Sequence, residues 1–235
     1  MKTSFFLLMA ALAKAVIAAP ASPDTLPAVA AEALPAAQAG ITPHEQYSSS
    51  VGVLGCKIDT NRVAYWLSRS TATTSASRSP TRADPLTFFS GGAYDISYDA
   101  WNYLSTGFSA TDSPTTGGSV TMDIENVPAD NCRHLLRGGS GSGLAFSGPN
   151  SMNFISSCVT GQPGSWVAGN YQLFNIKDSG CHCGWDEACS LNLAVSNQPA
   201  CPHQLGTSGP LLPDTVFNIQ YGTGASVPDP RPVAC

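Results

Sequence analysis

Two pairs of carboxylates in this chain have spacings that could do acid–base work on a glycosidic bond. Asp95 and Asp99 stand one helical turn apart, and Asp123 and Glu125 fall on the same face of an alternating stretch. Cleavage of such a bond ordinarily uses two carboxyl groups, ~5–5.5 Å apart for retention or ~6.5–9.5 Å for inversion. One of them has to stay protonated near neutral pH, which takes partial burial. A lytic route with an internal sugar nucleophile dispenses with the second acid, so a pair is not obligatory. For Asp123 and Glu125 the plainer reading is a solvated strand face. A second constellation is Cys181-His182-Cys183 with Cys189, Cys201 and His203, whose spacing looks superficially like a zinc site. Zinc needs thiolates, which an oxidising compartment converts to disulfides. Disulfides are therefore expected here, with neither metal nor cofactor, and His182 and His203 are read as surface residues. No Gly-x-Ser-x-Gly elbow, phosphate loop or dinucleotide fingerprint occurs.

The stretch from Gly91 to Leu104 has to position the first pair. Gly91-Gly92 lets the backbone turn, a short apolar step runs into Asp95, and Ser97 is suited to cap a following helix through its hydroxyl. Trp101 and Leu104 then share one face, and Gly107 supplies the left-handed stop. Downstream, Ser119–Glu125 alternates, with Val120, Met122 and Ile124 inward. Pro128–Leu136 reads as a helical turn carrying Cys132, and Asn150–Cys158 as a helix with Met152, Ile155 and Cys158 inward. Val51–Ile58, Tyr171–Ile176, Leu191–Ser196 and Thr215–Tyr221 read as strands, and Gly138–Gly143 as a loop.

Asp95-Ile96-Ser97 followed by Ala100-Trp101 resembles the Asp-Leu-Ser-x-x-Ala-Phe signature of double-psi β-barrels, the fold of expansins, barwins and rare-lipoprotein-A domains. The longer string, with Gly55 to Trp66 upstream and Ser151 to Phe154 and Ala194 to His203 downstream, is similar to a family of secreted fungal proteins of unsettled function. The resemblance covers most of 41–221. It implies an all-β fold, mainly strands with short helices, built as a six-stranded double-psi-like barrel. It also implies that Asp95 sits on a sugar-binding groove, as the general acid in hydrolytic and lytic members, with Asp99 as the nearest second carboxylate. The plain alternative for Asp95 is a tether for loop amides beside the helix start.

Composition bounds the rest. The chain has 235 residues, 43% of them hydrophobic and only 11% charged, with Gly and Pro together making 40. That favours a turn-rich, strand-rich domain over a helical bundle. A net charge of −5 with no basic cluster argues against nucleic acid. Residues 1–19 read as a secretory signal: Lys2, an apolar run from Phe5 to Leu12, then Ala18-Ala19. Lys14 interrupts the apolar run, so no membrane span is expected after cleavage. Residues 20–40 are an Ala/Pro-rich pro-segment or spacer, 41–222 the barrel-like domain, and 223–235 an irregular tail. All eight cysteines, Cys56, Cys132, Cys158, Cys181, Cys183, Cys189, Cys201 and Cys235, are disulfide candidates, with 105 pairings open.

One segment breaks the pattern. Residues 67–89 are largely Ser, Thr, Arg, Ala and Pro without alternation, where a barrel needs a strand. Ser70 to Ser77 can be encoded by bases that spell VDCDNICV in a neighbouring frame, and Ser79 to Asp84 then spell VSYEGR. The resembling family carries a Cys-x-x-x-Cys step and a Val-Ser-Tyr-like strand at this place. The plain reading is a surface loop; the sharper one is a frameshift, which would remove a strand and two cysteines and leave Cys56 at risk of lacking its partner.

The aromatics add a binding chemistry. Trp101 is assigned to the core, whereas Tyr65, Tyr94, Tyr98 and Trp166 are candidate groove residues that would stack on sugar faces. The expected function is binding or loosening of cell-wall polysaccharide without hydrolysis. The rival expectations are a glycosidic-bond-cleaving enzyme and a secreted interaction module whose partner is a host protein.

Overall fold

The alternation in the chain folds into three sheets. A computed structural model describes residues 37–66, 76–77, 86–89, 94–124, 126–137, 143–230 and 235. The expected leader at 1–19, residues 20–36 of the expected spacer, Gly91-Gly92, Glu125, residues 138–142 of the expected loop and most of 67–89 lie outside the described residues. The fold is mainly β with short helices.

The largest sheet holds β1 (Ala37–His44), β2 (Val63–Trp66), β3 (Ala76–Ser77), β4 (Leu86–Phe89), β5 (Tyr94–Ser97), β6 (Val120–Ile124) and β7 (Asn126–Val127). Their spatial order is β6-β1-β5-β2-β4-β3-β7, with β1–β5 and β2–β4 parallel and the other pairs antiparallel. A second sheet, β10-β9-β8, joins β8 (Leu144–Ser147), β9 (Tyr171–Ile176) and β10 (Gly184–Cys189). A hairpin pairs β11 (Phe217–Ile219) with β12 (Ser226–Pro228).

Side chains alternate across a strand, so each face of the large sheet gathers its own core. Ile41, Ala64 and Ile96 pack with Tyr98, Ala100, Trp101 and Ile219, under helix α1 (Tyr98–Thr106). On the opposite face Val63 and Tyr65 join Tyr47, Val53, Leu144, Phe146, Met152, Ile155 and Leu173. A third cluster sets Leu54, Ala145, Ile176 and Leu212 around Cys181.

Several expectations meet the structure directly. Residues 120–124, 171–176 and the 3-10 turn at Ala129–Leu135 form as read. Helix α2 (Met152–Ser156) runs into a wider turn at Ser157–Gly161 and buries Met152, Ile155 and Cys158. Helix α1 starts after Ser97 and stops at Gly107, whose φ of 83° is the left-handed value anticipated. Its cap differs: the Ser97 hydroxyl accepts the Val63 N–H at 3.2 Å and leaves the helix amides alone.

Four readings are corrected. The first strand begins at Ala37, inside the expected spacer. Val51–Ile58 is not a strand; Gly52 turns at φ 78° and Gly55–Lys57 is a 3-10 turn, with single bridges at Val53 and Ile58. Leu191–Ser196 is a turn despite its alternation, and Val195 is 81% exposed. The tail is ordered through β12, and Cys235 is tied to Cys183.

Candidate functional site

Asp95 is the second residue of β5, opposite Thr42 of β1 and Tyr65 of β2 in the ladder. Opposed residues in a sheet point to one face, so the three side chains converge. The Thr42 hydroxyl donates to Asp95 Oδ1 in a short contact, and the carboxyl is half-buried. Tyr65 is 3% exposed; its ring leans on His44 with centroids 4.5 Å apart, and its oxygen accepts the Ser48 N–H at 3.4 Å. Burial pushes the Tyr65 hydroxyl well above its ordinary value, and the nearby Asp95 charge pushes the same way. The arrangement offers a carboxyl, a threonine hydroxyl and a half-buried imidazole on one sheet face.

Asp99 has a different occupation. It is 6% exposed on the first turn of α1, ion-paired to Arg62 Nη1. The same carboxylate accepts the Ser109 hydroxyl at 2.6 Å and the Ala110 N–H at 2.7 Å. Burial alone would raise its pKa, but the Ser109 hydroxyl, the Arg62 guanidinium and the Ala110 amide outweigh that and hold it low. A carboxylate so engaged anchors the loop after α1 and is not disposed to serve as a second acid. Asp123, on the other edge, accepts the Gln38 amide at 2.8 Å on the solvated side of β6.

The aromatic candidates are dispersed. Tyr94 is 38% exposed but precedes Asp95 on the strand, so the two point to opposite faces and cannot wall one groove. Tyr98 is 1% exposed, with its hydroxyl on the Thr115 carbonyl at 2.7 Å and its ring between Trp101 and Tyr221. It belongs to one core, as Tyr65 belongs to the core on the opposite face of the large sheet. Trp166 opens helix α3 (Trp166–Gly169) and is half-buried. Its indole N–H donates to Asp130 at 2.8 Å, the Arg133 guanidinium stands 5.4 Å from its ring, and Asn170 Nδ2 donates to its carbonyl. That indole hydrogen bond, with Arg133, lowers the Asp130 pKa. Asp95 lies on β5 of the large sheet, whereas Trp166 lies on helix α3, ahead of β9 of the second sheet.

The cysteine cluster resolves into disulfides. Cys56–Cys181, Cys183–Cys235 and Cys189–Cys201 are bonded, so Cys56 has a partner and the adjacent Cys181 and Cys183 pair outward in different directions. Cys132 and Cys158 lie buried in the core outside those three bonds. Among the described residues no group of three or more His, Cys, Asp or Glu side chains could hold a metal ion. His182 is not a free surface residue: Nδ1 lies 2.8 Å from Asp178 and Nε2 3.0 Å from Asp229. His203 is 51% exposed, stacked flat on Trp185 at 3.7 Å, with Nδ1 2.7 Å from Glu187.

Sequence reasoning passed over Arg62, Thr42 and His44, whose roles arise only from cross-strand register. It also passed over the cleft on the second sheet, of about 350 Å³, lined by Tyr171, Gln172, Leu173, Ala188, Cys189 and Leu191. No helix among the described residues is long and apolar enough to cross a membrane. No protein family, curated protein or solved structure matches the chain.

Proposed function

We propose that the protein is secreted and binds or loosens cell-wall polysaccharide without hydrolysing it. The observation that carries the non-hydrolytic part is Asp99. The carboxylate closest in sequence to Asp95 is held ionised by Arg62 and by two further hydrogen bonds, so Asp99 is not available as the partner that a paired-acid mechanism would draw on. The binding part is supported by half-buried Asp95 with Thr42 and His44 on one face. Three disulfides are compatible with an oxidising, extracellular setting.

The barrel belongs to the same proposal. The terminal strands of the large sheet are β6, ending at Ile124, and β7, beginning at Asn126, so its two ends are one residue apart along the chain. Counting that pair as one strand leaves six, the number expected of a double-psi-like barrel, and this supports the resemblance carried by Asp95-Ile96-Ser97.

The test is retention of the purified chain on insoluble chitin, β-glucan and cellulose, with reducing-end release assayed alongside. Retention on one of them without release is the expected result. Release that vanishes in Asp95→Asn would replace this reading with an enzyme. No retention on any of the three would leave the protein-partner reading.

A further inference from the structure

The C-terminal hairpin meets the turn at 178–183 through an imidazole set between two carboxylates. The turn is tight: Cys181 adopts φ 57° and its N–H donates to the Asp178 carbonyl at 3.1 Å. The Asp178 carboxylate accepts the His182 and Cys183 amides, which fixes it beside the ring. His182 Nδ1 stands 2.8 Å from Asp178 Oδ1, and Nε2 stands 3.0 Å from Oδ2 of Asp229, the residue after β12. The His182 and Asp229 side chains are each 15% exposed. Nε2 itself is sealed from solvent and sits off the line of a hydrogen bond to Asp229, so the attraction there is ionic. Gly180 makes room for the meeting, since a Cβ there would come within 2.4 Å of His182 Cε1 and 3.0 Å of Asp229 Oδ2.

We propose that His182 is a proton-operated latch on this hairpin, closed by the imidazolium and loosened by the neutral ring. A neutral imidazole bears one N–H and one lone pair. Whichever nitrogen is bare then turns its lone pair on a carboxylate oxygen at 2.8 or 3.0 Å. The imidazolium is attracted to both, and at this burial the attraction is screened less than at an open surface. Among the described residues Asp178 and Asp229 are the charged groups that pair with the ring, and its neighbours Cys181 and Cys183 are held in disulfides. Asp229 carries the effect into both strands of the hairpin. Its N–H donates to the Val216 carbonyl at 2.7 Å, and its Oδ1 accepts Asn218 Nδ2 at 2.9 Å. Asn218, 4% exposed on β11, in turn accepts the Tyr47 N–H at 2.9 Å, which ties in the segment after β1. The Cys183–Cys235 disulfide persists in either protonation state, so loss of the proton opens the hairpin without releasing the chain end. Protonation favours the closed form, so the latch is tightest at acid pH and slackens as pH rises through the imidazole range.

Hydrogen exchange in the full chain tests it, read as amide protection factors across 216–229 at about pH 5 and about pH 8. Helix α1 is the internal comparison, and melting temperature checks folding. In the unmodified protein, protection of the hairpin is expected to fall roughly three- to tenfold from the acid to the alkaline end, with α1 unchanged. The chain has four histidines, so a variant has to isolate this one. His182→Gln cannot take up a proton, and protection of its hairpin should be low at both pH values. Should His182→Gln fail to fold, Asp229→Asn decides, because removing that carboxylate should shrink the same dependence. A folded variant that keeps the full pH dependence overturns the latch. So does an unmodified hairpin protected equally at both pH values.

Discussion

The Asp99 carboxylate is held by Arg62, Ser109 and Ala110, and this single group carries a stability prediction with a defined pH dependence. Its folded pKa is depressed, so its contribution is present in full above the unfolded carboxylate value and is lost as pH falls through the folded value. Unfolding in urea should therefore move to lower denaturant between neutral pH and about pH 3, and Asp99→Asn should flatten that dependence. Arg62→Met leaves the buried carboxylate without its counter-charge. With Arg62 itself 26% exposed, we expect a loss of about 2–3 kcal/mol at neutral pH, below the 3–5 typical of a fully buried pair. A stability unchanged in Arg62→Met would mean the carboxylate finds water instead. Residue type alone made Asp99 a candidate acid. The partner that commits it, Arg62, lies 37 positions earlier and meets it only once β2 and β5 are side by side. Asp95 and Tyr65 were each legible as residues worth attention, but their placement side by side with Thr42 was not, since register is a property of the assembled sheet.

Helix α1 was the most legible element, because Ser97, the Trp101 face and Gly107 all agree with its bounds. Its less visible work is done by Asn102, which is fully buried and holds the loop that follows. Asn102 Nδ2 donates to the carbonyls of Phe108 and Ser113, and Oδ1 accepts the amide and hydroxyl of Thr115. Asn102→Ala abandons these buried groups, so we expect about 2–3 kcal/mol of destabilisation. Faster amide exchange across 108–115 with little change in β9 would place the effect in this element. Uniform loss of protection would refute so local a role. Elsewhere local polar chemistry overrode periodicity. Leu191–Ser196 alternates as a strand would, yet the Asn192 side chain accepts the Ala194 N–H at 3.1 Å and its carbonyl accepts from Val195 and Ser196. That turn is worth more than an exposed edge strand. The prolines of the tail hid a hairpin made possible by Gly222 and Gly224 at φ 73° and 70°.

At the scale of the molecule, the large sheet depends on β3 and β4, which link β2 to β7 and come from the compositionally odd part of the chain. Without them β2 and β7 would be bare edges. Yet β3 is two residues long, and the sequence around it has neither the alternation nor the β-branched content of a central strand. We propose that a shifted reading frame over this segment accounts for a place in the sheet filled by residues unsuited to a strand. The transcript across 67–89 is therefore expected to permit VDCDNICV and VSYEGR in the neighbouring frame. The chain translated in that frame should melt several degrees higher, since one added kcal/mol raises the midpoint of a domain this size by about 2–4 °C. It should also carry two more cysteines, countable by mass after alkylation. Bases that exclude the second frame would end the argument. A restored chain that melts no higher would show that the given residues already serve the sheet as well as any strand would.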